Sequence, residues 1–336
     1  MSSFASFVCA VAIASSGPFW FVVAGLCEAG PGSQTPATIE AGPGSQTPAT
    51  IEVAPAPREK IPFVEVAPPR ERHALILCGH PGDAEHAKSF AETIRKLGDG
   101  LNKTVGIAPE RQHILFGAEK PKDLPGATGP ATREAVIAAI AEVRKKLRPE
   151  DGLWVICLGH GYHDGRQAWW NLPGPDLNAA EFGKLFAEVN CREQVFVLTH
   201  SLSGFFVAPL ARRDRVVIAA TEADAETNET MFPAAFAKIL GAGLDPAEHD
   251  ADKDGRLSLF DLYVAVAKEI AQNFATAEQL STEHAQLDDD GDGIGHELQN
   301  AYLPEEQGGT PPGKKANRRP HRDGVRAAQI LLSLGK

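Results

Sequence analysis

Short, uninterrupted runs of apolar residues alternate with longer amphipathic segments along the chain from residue 73 to about 240. The apolar runs are ALILC, HILFG, LWVICLG, VFVLT and VVIAAT, at 74–78, 113–117, 153–159, 195–199 and 216–221. Apolar residues at helical spacing mark segments near 83–97, 131–147, 178–189, 204–211 and 230–240. Strands that are apolar throughout and alternate with helices are typical of a parallel sheet covered on both faces. The pattern therefore predicts an α/β domain over 72–243 with a mostly parallel central sheet.

Two loops that follow apolar runs carry reactive side chains. His160 and Gly161 come directly after LWVICLG, and Ser201 comes after VFVLT. In sheets of this kind, reactive groups gather beyond the carboxyl ends of the strands. If the two strands are neighbours, their tips are about 5 Å apart. We therefore expect the His160 imidazole and the Ser201 hydroxyl to share one cleft, while Asp164 either orients His160 or closes a turn.

Four motifs in this region carry a family resemblance. They are ALILCGHPGDAEH, LGHG at 158–161, HSLSG at 200–204 and VVIAATEADAETNETMF. Together they resemble the caspase and legumain-like clan of cysteine peptidases over residues 73–240. NLPGPDLNAAEF and STEHAQLDDDGDG further resemble a group of bacterial caspase-like proteins with Asp-rich C-terminal loops. The resemblance implies a three-layer caspase-like fold, with His160 as the general base and Ser201 in the position of the nucleophile.

Ser201 departs from the clan, which has cysteine at this position. A cysteine needs only a modest fall in its pKa to become a thiolate, whereas a serine hydroxyl must lose its proton to a well-aligned base. The clan's loosely paired histidine suits the first chemistry better. We therefore expect a peptidase-like domain whose activity is impaired or lost.

Two other functions remain open. The turn at Thr199 to Ser203 approaches the nucleophile elbow of a serine hydrolase, although neither residue is the glycine which that turn prefers. Such an enzyme would need a late histidine, among His249, His284 and His296. The alternative is a non-enzymatic, calcium-stabilised module that uses the cleft to bind peptides or proteins.

The acidic stretch EADAETNE at 222–229 follows the last apolar run. Carboxylates at the carboxyl end of a strand can line a pocket that selects basic side chains, and Glu226 and Glu229 are the candidates. The same residues also fit a solvated loop.

Residues 250–261 have the spacing of an EF-hand calcium loop. Asp250, Asp252, Asp254 and Asp261 stand at positions one, three, five and twelve, and glycine stands at position six. Calcium prefers six to eight oxygen ligands, and position seven, here Arg256, contributes only its carbonyl. Aspartate at position twelve reaches the ion less readily than the usual glutamate, so we expect weaker binding or closer competition from magnesium.

A second acidic loop begins at Asp288, with Asp290 and Asp292 at positions three and five. Gly295 replaces the usual aliphatic residue at position eight, and Gln299 stands at position twelve. An ion there would need Glu297, water or a neighbouring segment to complete its ligands. Residues 244–306 are therefore predicted to form a helical EF-hand-like module that packs against the main domain.

The amino-terminal region is expected to direct export. Residues 4–26 are uncharged and mostly apolar, which favours a signal peptide over 1–28, or a membrane anchor if it is not cleaved. The segment AGPGSQTPATIE then occurs twice, at 29–40 and 41–52, within a Pro-rich linker that extends to residue 71. Such a composition cannot bury enough apolar area to fold, so an extended tether is expected.

The net charge and the cysteine content limit which classes of protein this chain can belong to. The net charge of −11 argues against a nucleic-acid partner, because binding to phosphates needs a basic face. Cys78, Cys157 and Cys191 are too few for a disulfide framework, and the first two lie in apolar runs, where we expect simple packing. Residues 307–336 read as a basic, Pro-rich linker followed by a C-terminal amphipathic helix.

Overall fold

A computed structural model describes residues 67–117, 124, 126–224, 226–309 and 322–333. The strands are β1 (Arg72–Cys78), β2 (Gln112–Phe116), β3 (Ala127–Gly129), β4 (Gly152–Leu158), β5 (Gly161–His163), β6 (Ala168–Trp170), β7 (Leu177–Asn178), β8 (Glu193–Leu198), β9 (Arg215–Ala219) and β10 (Gln286–Asp288). The helices are α1 (Ala84–Gly100), α2 (Arg133–Lys146), α3 (Ala179–Leu185), α4 (Val207–Leu210), α5 (Phe232–Ala242), α6 (Pro246–His249) and α7 (Leu259–Thr276).

Seven strands form a central sheet in the order β10-β9-β8-β4-β1-β2-β3. All its pairings are parallel except that of β9 with β10, which is antiparallel. A small antiparallel sheet of β5, β6 and β7 follows β4. The fold is therefore mixed α/β with a mostly parallel central sheet, as the apolar pattern predicted.

Helices cover both faces of this sheet. Ile76 of β1 lies in a core with apolar residues of α1, α5 and α7, and its neighbour Leu75 lies in a second core with residues of α2 and α3. This alternation along a strand that is buried on both faces explains why the strand sequences are apolar throughout. Cys78 and Cys157 are buried in these cores, and burial raises the pKa of both thiols.

Each of the five apolar runs forms a strand of the central sheet, but some helices differ from the expected bounds. The helix predicted at 178–189 ends at Leu185. The segment predicted as a helix at 204–211 begins as a 3-10 turn, Ser203–Phe206, before the single helical turn of α4. Asp164 closes the turn between β5 and β6, since its Oδ1 accepts hydrogen bonds from the backbone of Arg166 and Gln167.

The C-terminal elements belong to the same compact unit as the sheet. β10 adds an edge strand to β9, and α7 packs against α5. The expected C-terminal helix is replaced by a 3-10 turn, Ala327–Gln329, after which Leu331 forms a β-bridge with Ser258. The leader, the tandem repeat and most of the basic linker lie outside the described residues. Among the helices that the structure describes, none is long and apolar enough to cross a membrane.

A buried ion pair ties the amino end of β1 to the rest of the body. The Arg72 guanidinium donates to both Glu193 carboxylate oxygens, at 2.7 and 2.9 Å. Trp154 Nε1 donates to the same carboxylate at 2.7 Å, and Arg72 also donates to the carbonyl of Leu331 at 2.9 Å. This cluster joins three neighbouring strands and the C-terminal segment, and the two buried charges offset one another.

Candidate functional site

The strands that precede His160 and Ser201 are neighbours. β4 pairs in parallel with β8, with Cys157 opposite Leu198. Both residues therefore emerge from the same edge of the sheet, as the sequence predicted. The two loops also touch: a Cβ added to Gly161 would lie 2.5 Å from the carbonyl oxygen of Ser201. Only glycine fits at position 161 without displacing one of these loops.

The position and tautomer of the His160 ring are fixed by its neighbours. Its Nε2 lies 3.1 Å from the carbonyl oxygen of Pro81, and its ring packs edge-on to His86 and against Phe90 at centroid distances of 5.3 and 5.5 Å. A carbonyl can only accept, so this contact requires a proton on Nε2. In the neutral ring, Nδ1 is then the atom able to act as a base.

The Ser201 hydroxyl donates to a backbone carbonyl. Ser201 is only 3% exposed, and its Oγ donates to the carbonyl oxygen of Asn228 at 2.9 Å. The next residue, Leu202, has φ of 59°, a left-handed conformation that turns the chain sharply. Within the described residues, no hydrogen bond joins His160 to Ser201. The two predicted residues share one end of the sheet, but the hydroxyl proton is held by a backbone carbonyl.

His200 is a core residue. It is 1% exposed, its Nδ1 lies 2.9 Å from the Ser201 carbonyl, and its ring stacks on Trp170 and packs edge-on to Phe206. Burial lowers the pKa of His200 to about 4. The ring is therefore neutral at physiological pH and braces the turn that carries Ser201.

The two candidate pocket residues, Glu226 and Glu229, point to different partners. Glu226 accepts the backbone N–H of Glu222 at 2.8 Å and pairs with His284, which raises the pKa of that histidine. Glu229 instead lies 3.2 Å from His86 Nε2. Two hydrogen bonds of the His86 side chain raise the pKa of His86: the one with Asp83, which has the larger effect, and the one with Glu229. The structure therefore places these two glutamates at separate positions.

Glu226 borders a cavity of about 510 Å³ that is rich in carboxylates. Its lining includes Glu222, Glu283, His284 and Glu297. A hydrogen bond with Glu297 raises the pKa of Glu222, and burial raises the pKa of Glu283 to about 8. The sequence signals for this cavity were the acidic run at 222–229 and the STEHAQ segment, but their convergence depends on β10 joining β9.

The acidic side chains of residues 250–256 accept backbone N–H groups from their own loop. The Asp250 carboxylate accepts backbone N–H groups from Asp254 and Gly255, at 3.1 and 3.0 Å, and Asp254 accepts that of Arg256 at 2.8 Å. Gly255 has φ of 83°, which glycine adopts without strain. Carboxylate oxygens of Asp250, Asp252 and Asp254 lie within 4.8 Å of one another. This arrangement can present several oxygens to one cation.

Asp261 lies beside this cluster and is engaged by the loop itself. It is 1% exposed and accepts the backbone N–H groups of Ala251 and Ser258, both at 2.8 Å. Burial, which is the larger effect, and the negative charge of Asp261 together raise the pKa of Asp252 to about 6. Asp261 therefore holds the two ends of the loop together.

The second acidic loop repeats the same backbone pattern. Asp288 accepts the N–H groups of Gly291 and Gly293, at 2.9 and 3.1 Å, and Gly293 has φ of 83°. Asp292 lies two residues beyond Asp290 and accepts the N–H of Ile294. Gln299 is buried and bonded to Tyr263 and to the carbonyl of Ala285.

Asp323, from the C-terminal segment, completes the acidic group of this loop. Its carboxylate oxygens lie within 4.8 Å of those of Asp288 and Asp290. Asp323 is 33 residues away from Asp290, beyond a Pro-rich stretch, so the sequence offered no signal for it. The C-terminal segment is thus the neighbouring segment that lies in position to supply a further carboxylate to an ion in this loop.

The three late histidines have other partners. His284 pairs with Glu226, His296 pairs with Asp323, and His249 Nδ1 lies close to the backbone of Asp245. Among the described contacts, none of the three bonds to Ser201, as a serine hydrolase would require.

Comparisons with known proteins give only distant similarities. No protein family model matches the chain, and no curated protein matches it. The crystal structure of the Drosophila initiator caspase Dronc aligns with 78% of this chain and 96% of its own, at 8% identity and a TM-score of 0.40. The protein GSU0716 from Geobacter sulfurreducens aligns with 68% of this chain and 98% of its own, at 12% identity and a TM-score of 0.40. Neither similarity carries an argument about function.

Proposed function

We propose that this protein is an exported, calcium-stabilised protein with a caspase- or legumain-like domain that binds peptides but is impaired or inactive as a peptidase. The observation that carries the proposal is the hydrogen bond from Ser201 Oγ to the Asn228 carbonyl, 2.9 Å long. A serine nucleophile must pass its proton to a base during attack. Here the proton is directed to a carbonyl oxygen, which is not a base at neutral pH.

The arrangement around His160 supports the family assignment. His160 and Ser201 follow adjacent parallel strands and share one end of the sheet. The Pro81 carbonyl leaves Nδ1 as the basic atom of the imidazole. In the proposed assignment His160 would be the base and Ser201 would stand in the position of the nucleophile, with its hydroxyl not activated.

Calcium binding is proposed for both acidic loops. Each loop turns its backbone N–H groups onto its first aspartate and collects three carboxylates within 4.8 Å. Without a cation these like charges repel one another, and burial raises the pKa of Asp252 and Asp288 to about 6. A bound divalent cation would offset that cost, and oxygen donors favour calcium or magnesium.

A non-enzymatic binding module is favoured by one further observation. The cavity beside Glu226 is about 510 Å³ and is lined by several carboxylates, which suits a basic side chain of a peptide. Glu229, at the mouth of the cleft beside His86, would contact such a ligand separately. Binding without cleavage would use both features and needs no activated serine.

Cysteine restoration tests the proposal. The wild-type protein, Ser201→Cys and Ser201→Cys/His160→Ala are assayed on peptides with basic residues, with and without calcium. Cleavage only by Ser201→Cys, lost with His160→Ala, is expected for a vestigial peptidase centre. Cleavage by the wild-type protein that vanishes in His160→Ala would overturn the inactive assignment and establish a serine hydrolase. Binding of the same peptides without cleavage by any variant would favour the binding module.

A further inference from the structure

The segment Glu226–Thr230, here called the strap, lies against the turn that carries Ser201. Every second residue of the strap contacts this turn. Leu202 N donates to the Glu226 carbonyl at 3.2 Å, Ser201 Oγ donates to the Asn228 carbonyl at 2.9 Å, and Thr230 Oγ1 donates to the Thr199 carbonyl. As the strap advances from 226 to 230, its partners run back from 202 to 199. The strap therefore runs antiparallel to the turn, and is joined to it by one backbone hydrogen bond and two side-chain hydrogen bonds.

We propose that the strap is an autoinhibitory segment that occupies the peptide-binding cleft and must be displaced before a peptide can reach Ser201. This inference rests on the proposed function, in which the cleft beside His160 and Ser201 receives a peptide. Extended peptides bind by hydrogen-bonding to backbone groups at an exposed edge. The Leu202 N–H and the Thr199 carbonyl are such groups, and the strap already uses both.

The two ends of the strap are held by different side-chain partners. Glu226 is held by the N–H of Glu222 and by His284. Glu229 reaches across to His86 Nε2 at the start of α1, at 3.2 Å. His86 also lies 2.8 Å from Asp83 and packs on the His160 ring. The Glu229 to His86 contact thus links the strap to the ring that packs against His160.

The composition of the strap suits a displaceable segment. Its sequence, ETNET, contains no apolar side chain, and its residues 227 to 229 are exposed. It is held by polar contacts and buries no hydrophobic anchor, so its opening exposes little apolar surface. Segments held in this way open locally at a lower free energy than a packed core. An incoming peptide can offer a carbonyl to the Leu202 N–H and an N–H to the Thr199 carbonyl in place of these contacts.

Thiol labelling tests the strap without requiring any activity. Cys9 and Cys27 are replaced by Ser in every protein used, and the remaining native cysteines, Cys78, Cys157 and Cys191, are buried. Ser201→Cys then supplies a single thiol that lies beneath the strap. The strap is loosened by Glu229→Ala with Thr230→Val, which removes the contact to His86 and the hydroxyl that bonds to Thr199. The matched controls are Thr230→Ser, which keeps the hydroxyl, and Glu134→Gln on the surface of α2.

We expect the thiol introduced by Ser201→Cys to react with iodoacetamide at least about tenfold faster when the strap is loosened, while both controls leave the rate unchanged. Equal rates in the parent and the loosened protein would overturn the proposal. Because labelling does not depend on cleavage, its outcome stands even if no variant cleaves or binds a peptide. A negative result for the proposed function is thereby distinguished from a negative result for the strap proposal.

Hydrogen exchange provides a measurement on the unsubstituted chain. The Leu202 amide is buried and donates to the strap, so it reports strap opening directly. We expect it to exchange at least about tenfold faster than the amides of β4 and β8, and to slow when a peptide with basic residues binds in place of the strap. Exchange of Leu202 only together with those strands would show that the strap is a fixed part of the fold, and would overturn the proposal.

Discussion

The Asp289 and Asp323 side chains each accept backbone N–H groups from the segment that contains the other residue. The Asp289 carboxylate accepts the N–H groups of Gly324 and Ala327, at 3.0 and 2.7 Å, and Asp323 Oδ1 accepts those of Asp289 and Asp290, at 2.9 and 3.2 Å. Both side chains are buried, and burial raises the pKa of Asp289 to about 7. This reciprocal pair fastens the C-terminal segment to the second acidic loop.

Asp289→Ala is expected to release that segment. Two buried N–H groups lose their acceptor, and a net loss of about 2 to 4 kcal/mol in the free energy of unfolding follows from two such bonds. Urea denaturation measures the loss, and limited trypsin digestion after Arg326, which lies within the segment that Asp289 holds, reports the release. Asp99→Ala, on the exposed surface of α1, serves as the control and should stay within about 0.5 kcal/mol. An unchanged digestion pattern in Asp289→Ala would contradict this account.

Calcium is expected to stabilise the folded protein. A ligand that binds only the folded state adds about 2.7 kcal/mol at 100 times its Kd. Asp252→Asn removes one charge from the first loop with little change in shape, so it should reduce the calcium-induced rise in Tm. Glu248→Gln, an exposed residue of α6, should leave that rise intact. Calcium titrations followed by calorimetry, repeated with magnesium, measure both effects. An equal rise in wild type and Asp252→Asn would argue against an ion in this loop.

Gly161→Ala is expected to disturb the cleft itself. The added methyl group would lie 2.5 Å from the Ser201 carbonyl and 3.0 Å from that of Trp169, and neither backbone can move freely. A loss of about 1 to 3 kcal/mol is typical of such overpacking. Gly241→Ala is the matched control, because nothing lies within 4 Å of its added Cβ and alanine favours the helix α5. Thermal denaturation should show opposite shifts in Tm for the two variants.

His200 should make stability depend on acid pH. Its folded-state pKa, lowered by burial to about 4, lies below the ordinary value of 6.5 for the unfolded chain. The unfolded state therefore binds the proton first. The stabilisation is fully present above pH 6.5 and falls by about 3 kcal/mol as the pH drops to 4. His200→Phe retains the aromatic packing and removes this term. The difference between the two proteins in urea midpoint, followed from pH 7 to 4, isolates it, and a constant difference would contradict the assignment.

Arg72→Met is expected to cost about 3 to 5 kcal/mol, because it leaves the Glu193 carboxylate buried without its positive partner. The double variant Arg72→Met/Glu193→Leu removes both charges and should recover most of that loss. Chemical denaturation of the wild type and the two variants compares these values. Equal stability of the single and double variants would show that the unpaired charge is not the cause.

The main strands were readable from the sequence because each is apolar throughout and long enough to be seen, but their order in the sheet was not. The sequence placed His160 and Ser201 directly after two of these strands, and only the structure shows that the two strands pair as neighbours. The first acidic loop was readable because its contacts are local. β10 was not predicted, since it has only three residues and its place at the sheet edge depends on a distant pairing with β9.

Other features of the site depend on contacts between distant residues. The partner of the Ser201 hydroxyl lies 27 residues away, and Asp323 joins its loop across a Pro-rich stretch. A periodicity or a motif does not report such contacts. The sequence therefore indicated which end of the sheet carries His160 and Ser201, but not the strap that lies against it.

The ion pair at Arg72 lies far from the opening beside His160. Arg72 begins β1, and its bond to the Leu331 carbonyl brings the C-terminal segment to the amino end of that strand. The cleft lies at the other end, beyond seven residues of strand, which span about 23 Å. The ion pair and the opening beside His160 therefore lie at opposite ends of the sheet, so a substitution at Arg72 changes the stability of the body without altering a residue that lines the opening.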